Sequence, residues 1–153
     1  MKNPNELFHP QNRIDAAKAR VKSSEILLKE RRFSASIYFS GVAVESILRA
    51  FIERDSKTFE ERHNILKMSE HASIHPFYYG NSKMKDCLDD INLYWDNKYR
   101  YTDDVKLMTF YQSRGLIKHS KLRDANILKN LAIKCNEAAA SIVKKGMELY
   151  KGV

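Results

Sequence analysis

YFSGVAVESILRAFI, Tyr38 to Ile52, is the stretch whose reading decides the fold. It lies in the most apolar part of the chain, and its large residues recur at helical steps. Ile37, Tyr38, Gly41, Val44, Leu48 and Phe51 or Ile52 fall along one broad face of a helix from about Ser34 to Arg54. Ser34 is the expected N-cap, and the small residues Ala35, Ser40, Gly41 and Ala43 let a neighbouring helix come close. One carboxylate, Glu45, is embedded in this apolar run. Leaving a buried carboxylate unpaired costs several kcal/mol, so Glu45 is expected to find a cation or to rise in pKa.

Working outward, Arg13 to about Arg31 places Ile14, Ala17, Val21, Ser24, Leu27 and Leu28 at three- and four-residue steps between charges, the mark of an amphipathic helix. The short break at RRF makes these first two helices an antiparallel hairpin. Residues 1–12, with Pro4 and Pro10, read as an irregular lead-in to one domain over 13–153. In the other direction, Thr58 to about His71 predicts a shorter helix, and HPFYYGNS a turn region. Asn81 or Ser82 caps a helix through Trp95, with Met84, Leu88, Ile91 and Trp95 on one face. A short segment follows from Asp103 to about Tyr111. A long last helix, about Leu122 to Tyr150, packs Leu128, Leu131, Cys135, Ala138, Ile142 and Leu149. No period-two strand pattern is found. The expected fold is all-α, a bundle of four main antiparallel up-down helices plus one or two short ones.

Composition agrees. With 153 residues, 43% hydrophobic and 30% charged, the chain suits one domain with a core. The longest uncharged run, Phe33 to Val44, is too short to span a bilayer, and no apolar segment follows a basic N-terminus. A cytoplasmic protein without a membrane partner is expected. Cys87 and Cys135 are far apart in helical patterns and are expected as reduced thiols. The net charge of +8 is uneven. From Arg114 onward nine basic residues face three acidic ones, whereas residues 1–113 hold 18 basic and 16 acidic. A polyanion is the natural partner of such a C-terminal quarter, and a solvated helix face is the plain alternative.

Three segments in order carry a family resemblance. They are AVES, Ala43 to Ser46, in the small-residue helix; HNIL, His63 to Leu66; and WDNKYRY, Trp95 to Tyr101, in which Arg100 stands between aromatics. Together they resemble the HEPN family (higher eukaryotes and prokaryotes nucleotide-binding), over about residues 13–150. The resemblance implies a helical bundle that usually forms a two-fold homodimer. A bidentate arginine suits a buried carboxylate, so Glu45 and Arg100 are expected as a structural ion pair.

A fourth segment, Arg114-Gly-Leu-Ile-Lys-His119, matches the Arg-x(4–6)-His spacing of HEPN ribonucleases. RNA carries its own nucleophile, the 2′-hydroxyl, so neither metal nor cofactor is required. A histidine can move a proton near neutral pH, and an arginine can stabilise the charged phosphorane. The resemblance thus implies a metal-independent endoribonuclease that leaves 2′,3′-cyclic phosphate and 5′-hydroxyl ends, with His119 moving protons and Arg114 on the phosphate. Lys118, Lys121 and Arg123 would steer RNA. In one regular helix, residues five apart diverge by about 140° around the axis, so a bend at Gly115 or a second protomer is needed. The sequence departs from the family at two places. Gly115 stands where a polar residue, often Asn, is common, and Lys121 where Tyr is common. Family members are often toxins or defence effectors, sometimes paired with a nucleotidyltransferase-type antitoxin. A non-catalytic nucleotide- or partner-binding scaffold and a plain dimerisation subunit remain alternatives.

Other groupings point elsewhere. His71 and His75 are spaced like zinc ligands, but no third ligand follows, and His75 precedes Pro76, which disfavours helix there. Phe77, Tyr78 and Tyr79 more naturally cover a bundle end than stack on bases. Asp89, Asp90, Asp103 and Asp104 read as solvated or capping acids. No phosphate loop, Gly-x-Ser-x-Gly elbow or thiolate cluster occurs.

Overall fold

The computed structural model describes residues 9–55, 63–71, 74–118 and 124–151. Among these, seven α-helices and one 3-10 turn carry the chain, with no strand: α1 (Pro10–Lys29), α2 (Phe33–Arg54), α3 (Ile65–His71), α4 (His75–Tyr79), α5 (Ser82–Tyr94), the turn Asn97–Tyr101, α6 (Asp104–Ser113) and α7 (Ala125–Lys151). The fold is all-α, as the periodicity predicts.

The central element is α2. Ile37, Val44, Ile47, Leu48 and Phe51 are fully buried on it, and α1, α3, α5, α7 and the 3-10 turn all pack against it. By length and composition α2 is apolar enough to cross a membrane, longer than the uncharged run alone implies, yet most of it is buried inside the fold. The α1–α2 hairpin is antiparallel. Arg13, early in α1, donates to Glu53 late in α2 at 3.0 Å, while Ser24 meets Ser36 and Ser40 from the other end.

Two glycine-made contacts fix the frame around α2. Trp95 lies flat where a side chain at Gly41 would begin, and its Nε1 donates to the Tyr38 carbonyl at 3.0 Å. That contact locks the end of α5 onto the middle of α2. On α7, Gly146 brings the backbone against Ile47 and the Tyr78 hydroxyl, which donates to the Ile142 carbonyl at 2.8 Å. Cys135 is buried among these helices, and burial pushes its thiol up to about 12. Cys87 is half-buried and shifted in the same direction, first by burial and then by Asp90. Both thiols are free.

The boundaries differ from expectation for local reasons. Helix α1 begins at Pro10, inside the expected lead-in, because proline is favoured in a first turn and His9 Nδ1 accepts from the Gln11 N–H at 3.1 Å. Helix α2 begins at Phe33, and the Ser34 side chain does not cap it. Arg32 holds the cap position, and Asp104 reaches across from α6 to accept the Ser34 N–H at 2.8 Å. The HPFYY segment is the short helix α4, with Pro76 in its first turn and Gly80 at its end. Within it Tyr78 is fully buried and Phe77 exposed. Asn81 caps α5 as expected, accepting from the N–H groups of Lys83 and Met84. The start of the helix expected from Thr58 falls outside the described residues.

Candidate functional site

The site begins where α6 stops. Gly115 takes a left-handed φ of 72°. Its N–H donates to the Gln112 carbonyl at 3.0 Å, and the Leu116 N–H reaches the Tyr111 carbonyl at 2.9 Å. This paired pattern around a left-handed glycine is a Schellman stop. It leaves Arg114 as the last residue before the chain turns away from the helix axis. Leu116 and Ile117 then pack half-buried against the core, and Lys118 returns to solvent. The residues after Arg114 therefore do not continue its helix, and the divergence of a continuous helix does not apply. Gly115 serves as the expected bend.

Arg114 is exposed, with its guanidinium over the Phe110 ring at 5.5 Å. Beneath it lies the buried Tyr99 hydroxyl, which among the described residues has no partner in full hydrogen-bond geometry but feels the Arg114 guanidinium nearby. Burial raises the Tyr99 pKa, and the positive charge of Arg114 opposes that rise.

Arg114 lines one wall of a cleft of about 430 Å³ that also exposes His63, Asn64, Asn92, Trp95, Asp96, Asn97 and Lys98. Local rules place each side chain. Asp96 caps the 3-10 turn by accepting the Lys98 N–H at 2.8 Å, which fixes Lys98 at the rim. The Asn64 side chain accepts the Lys67 N–H at 3.0 Å and so opens α3. His63 holds a left-handed φ of 65°, uncommon for a residue other than glycine.

The imidazole of His63 leads to the carboxylate embedded in α2. Glu45 is buried, and its Oε2 lies 2.9 Å from His63 Nδ1. A carboxylate only accepts, so Nδ1 donates and Nε2 is left for the cleft. The other oxygen, Oε1, accepts from Arg49 Nε at 2.9 Å. The expected Glu45–Arg100 pair is thus corrected: the partners of Glu45 are Arg49 and His63. Arg49 sits one turn along the same helix and reaches the carboxylate with no chain closure. Arg100 instead lies exposed on the outer edge of the 3-10 turn, its guanidinium 4.6 Å from the Tyr101 ring centre. It borders a second cleft with Arg31, Arg32 and Tyr38. The Glu-x3-Arg spacing lay in plain view in VESILR, and His63 in HNIL.

Of the expected Arg114 group, Lys118 is exposed, while His119, Lys121 and Arg123 lie outside the described residues. The basic surplus is spread along α7 as well. Lys134 faces Asp90 at 3.8 Å, and Lys144 and Lys151 flank an apolar groove against α1. The acids have local duties, since Asp103 caps α6 and Asp104 holds Ser34. His71 ends α3, and His75 stacks on Tyr79 with ring centres 4.2 Å apart. Among the described residues, no three His, Cys, Asp or Glu side chains gather as metal ligands do.

A family model of the HEPN domain matches residues 11–122, from the start of α1 through the segment after Arg114. No curated protein and no solved structure matches the chain. The match takes in the α1–α2 hairpin with its glutamate, the HNIL segment and Arg114, nearly three quarters of the 153 residues, and the chain belongs to the HEPN family of nucleotide-binding or ribonuclease-type modules.

Proposed function

We propose that this protein is an RNA-directed, metal-independent endoribonuclease, active as a homodimer in the cytoplasm. The observation that carries the reading is the position of Arg114. It stands at a helix stop, on the wall of a polar cleft, with the chain turned so that the following residues leave the helix axis. A guanidinium so placed suits a phosphate that gains charge during the reaction. In this reading His119 transfers protons, Arg114 stabilises the phosphorane, and Lys118, Lys121 and Arg123 draw RNA to the cleft. The nucleophile is the 2′-hydroxyl of RNA itself, and the chemistry asks for no cofactor. A role as toxin or defence effector, held in check by a nucleotidyltransferase-type antitoxin, fits such an activity.

The test is cleavage of mixed single-stranded RNA in EDTA. The wild type is expected to leave cyclic phosphate ends, and His119→Ala and Arg114→Ala to lose cleavage by about 10²- to 10⁴-fold with the fold intact. Folded, dimeric wild type that cuts nothing overturns the enzyme reading. A second reading, a nucleotide- or partner-binding scaffold, draws on the amides of Asn64, Asn92 and Asn97 in the same cleft, which suit base or ribose edges. It predicts saturable nucleotide binding without turnover.

A further inference from the structure

We infer that His63 is a second proton-transfer residue of the Arg114 cleft, donating from Nε2 to the 5′-oxygen that leaves when the RNA chain breaks. This rests on the ribonuclease reading and adds to it a group outside the Arg-x4-His pair.

Four observations converge on His63. It lines the same cleft as Arg114. Its backbone is held left-handed, a conformation that persists in a non-glycine residue only where its surroundings over-determine it. Its Nδ1 is engaged by Glu45 at 2.9 Å, which fixes the ring and leaves Nε2 as the nitrogen not taken up by the carboxylate. Glu45 is itself buried and held by Arg49, so the carboxylate behind the imidazole does not wander. A carboxylate already matched by an arginine one turn away needs no second cation for its own burial. The histidine is the member with exposure to spare: its side chain is 41% accessible, against 11% for Glu45 and 18% for Arg49.

The chemistry leaves room for such a donor. The 2′-oxygen bonds to phosphorus and gives up its proton to the base, assigned above to His119. The bond from phosphorus to the 5′-oxygen breaks, and that oxygen, a poor leaving group as alkoxide, departs with a proton. An imidazolium at His63 supplies it from Nε2; afterwards the protonated base releases its proton to solvent and His63 takes one up, so atoms and charge balance without a further reactant. The Glu45 carboxylate on Nδ1 orients this nitrogen.

The experiment uses the full-length protein, an oligoribonucleotide that the wild type cleaves, and the same oligonucleotide with sulfur replacing the bridging 5′-oxygen at the cleaved bond. A thiolate leaves without a proton. His63→Asn is the first variant, because asparagine tolerates the left-handed backbone, and His63→Gln is the second. The expected result is loss of at least roughly 100-fold on the oxygen substrate and less than about 5-fold on the sulfur substrate. Equal loss on both substrates by a folded variant overturns the assignment, because a binding or structural role does not distinguish the leaving atom. Unchanged cleavage by His63→Asn, with Arg114→Ala and His119→Ala inactive, overturns this inference alone. Absence of wild-type cleavage overturns the ribonuclease reading and this inference with it.

Discussion

Two polar clusters interrupt the apolar surface of α2, and they are built in opposite ways. Ser36 and Ser40 meet Ser24 of α1 and the half-buried Asn136 of α7 in a hydrogen-bonded knot. The Ser24 hydroxyl lies 2.7 Å from that of Ser40, 3.0 Å from that of Ser36 and 2.9 Å from the Ser36 carbonyl, and accepts from Asn136 Nδ2 at 3.1 Å. All three serines are fully buried. About one turn further along, Glu45 and Arg49 make a less deeply buried pair, and their third member, His63, opens into the Arg114 cleft. What separates them is that His63 lines the Arg114 cleft, whereas the serine cluster ends on the half-buried Asn136 of α7.

The comparison breaks most sharply at Glu45. Glu45→Ala leaves the Arg49 guanidinium mostly buried without its carboxylate and frees the His63 ring. It is expected to destabilise the fold by about 3 kcal/mol, read as a lower urea midpoint. A loss below about 1 kcal/mol would mean that Arg49 swings to solvent and the pair contributes little. Next comes Gly41→Ala. The new methyl meets the Trp95 ring directly, and the ring is tied by its Nε1 hydrogen bond, so overpacking of about 2 kcal/mol is expected. Unfolding followed by tryptophan fluorescence reports both the stability and the displaced indole, since Trp95 is the chain's one tryptophan.

Much of this frame is legible from residue types. The apolar period of α2, the small residues at its close contacts and the Asn81 cap follow from local rules that the tertiary structure leaves intact. The cap of α2 does not, because Asp104 replaces the Ser34 side chain from 70 residues away. The site divides in the same manner. Gly115 signals a turn after Arg114 because only glycine sits easily at a left-handed stop. The partner of Glu45 is harder: 27 lysines and arginines compete for one carboxylate, and an aromatic-flanked arginine looks as fit as one four residues on. Chain geometry decides for the local arginine, and the loop carrying His63 supplies a contact that no spacing rule fixes.

The serine cluster gives a smaller effect. Ser24→Ala removes the hydroxyl shared by Ser36, Ser40 and Asn136, yet Ser36 and Ser40 keep bonds to backbone carbonyls. About 1.5 kcal/mol of destabilisation is expected, less than for Glu45 because no charge is stranded. Thermal unfolding checks it. Cleavage or ligand binding at the Arg114 cleft stays at wild-type level if the cluster serves packing alone.

The smallest effect separates the two arginines. Arg100→Ala removes an exposed side chain that stacks on its exposed neighbour Tyr101, so stability shifts by less than about 0.5 kcal/mol. Arg49→Ala leaves the buried Glu45 with His63 alone and costs several times that. A double-mutant cycle makes the contrast quantitative: Glu45 and Arg49 couple strongly, whereas the effects of Glu45→Ala and Arg100→Ala add. Strong coupling between Glu45 and Arg100 would return the buried carboxylate to a long-range partner. Its absence leaves Arg100 free on the rim of the second cleft, beside Arg31 and Arg32, and keeps the support of His63 wholly within α2.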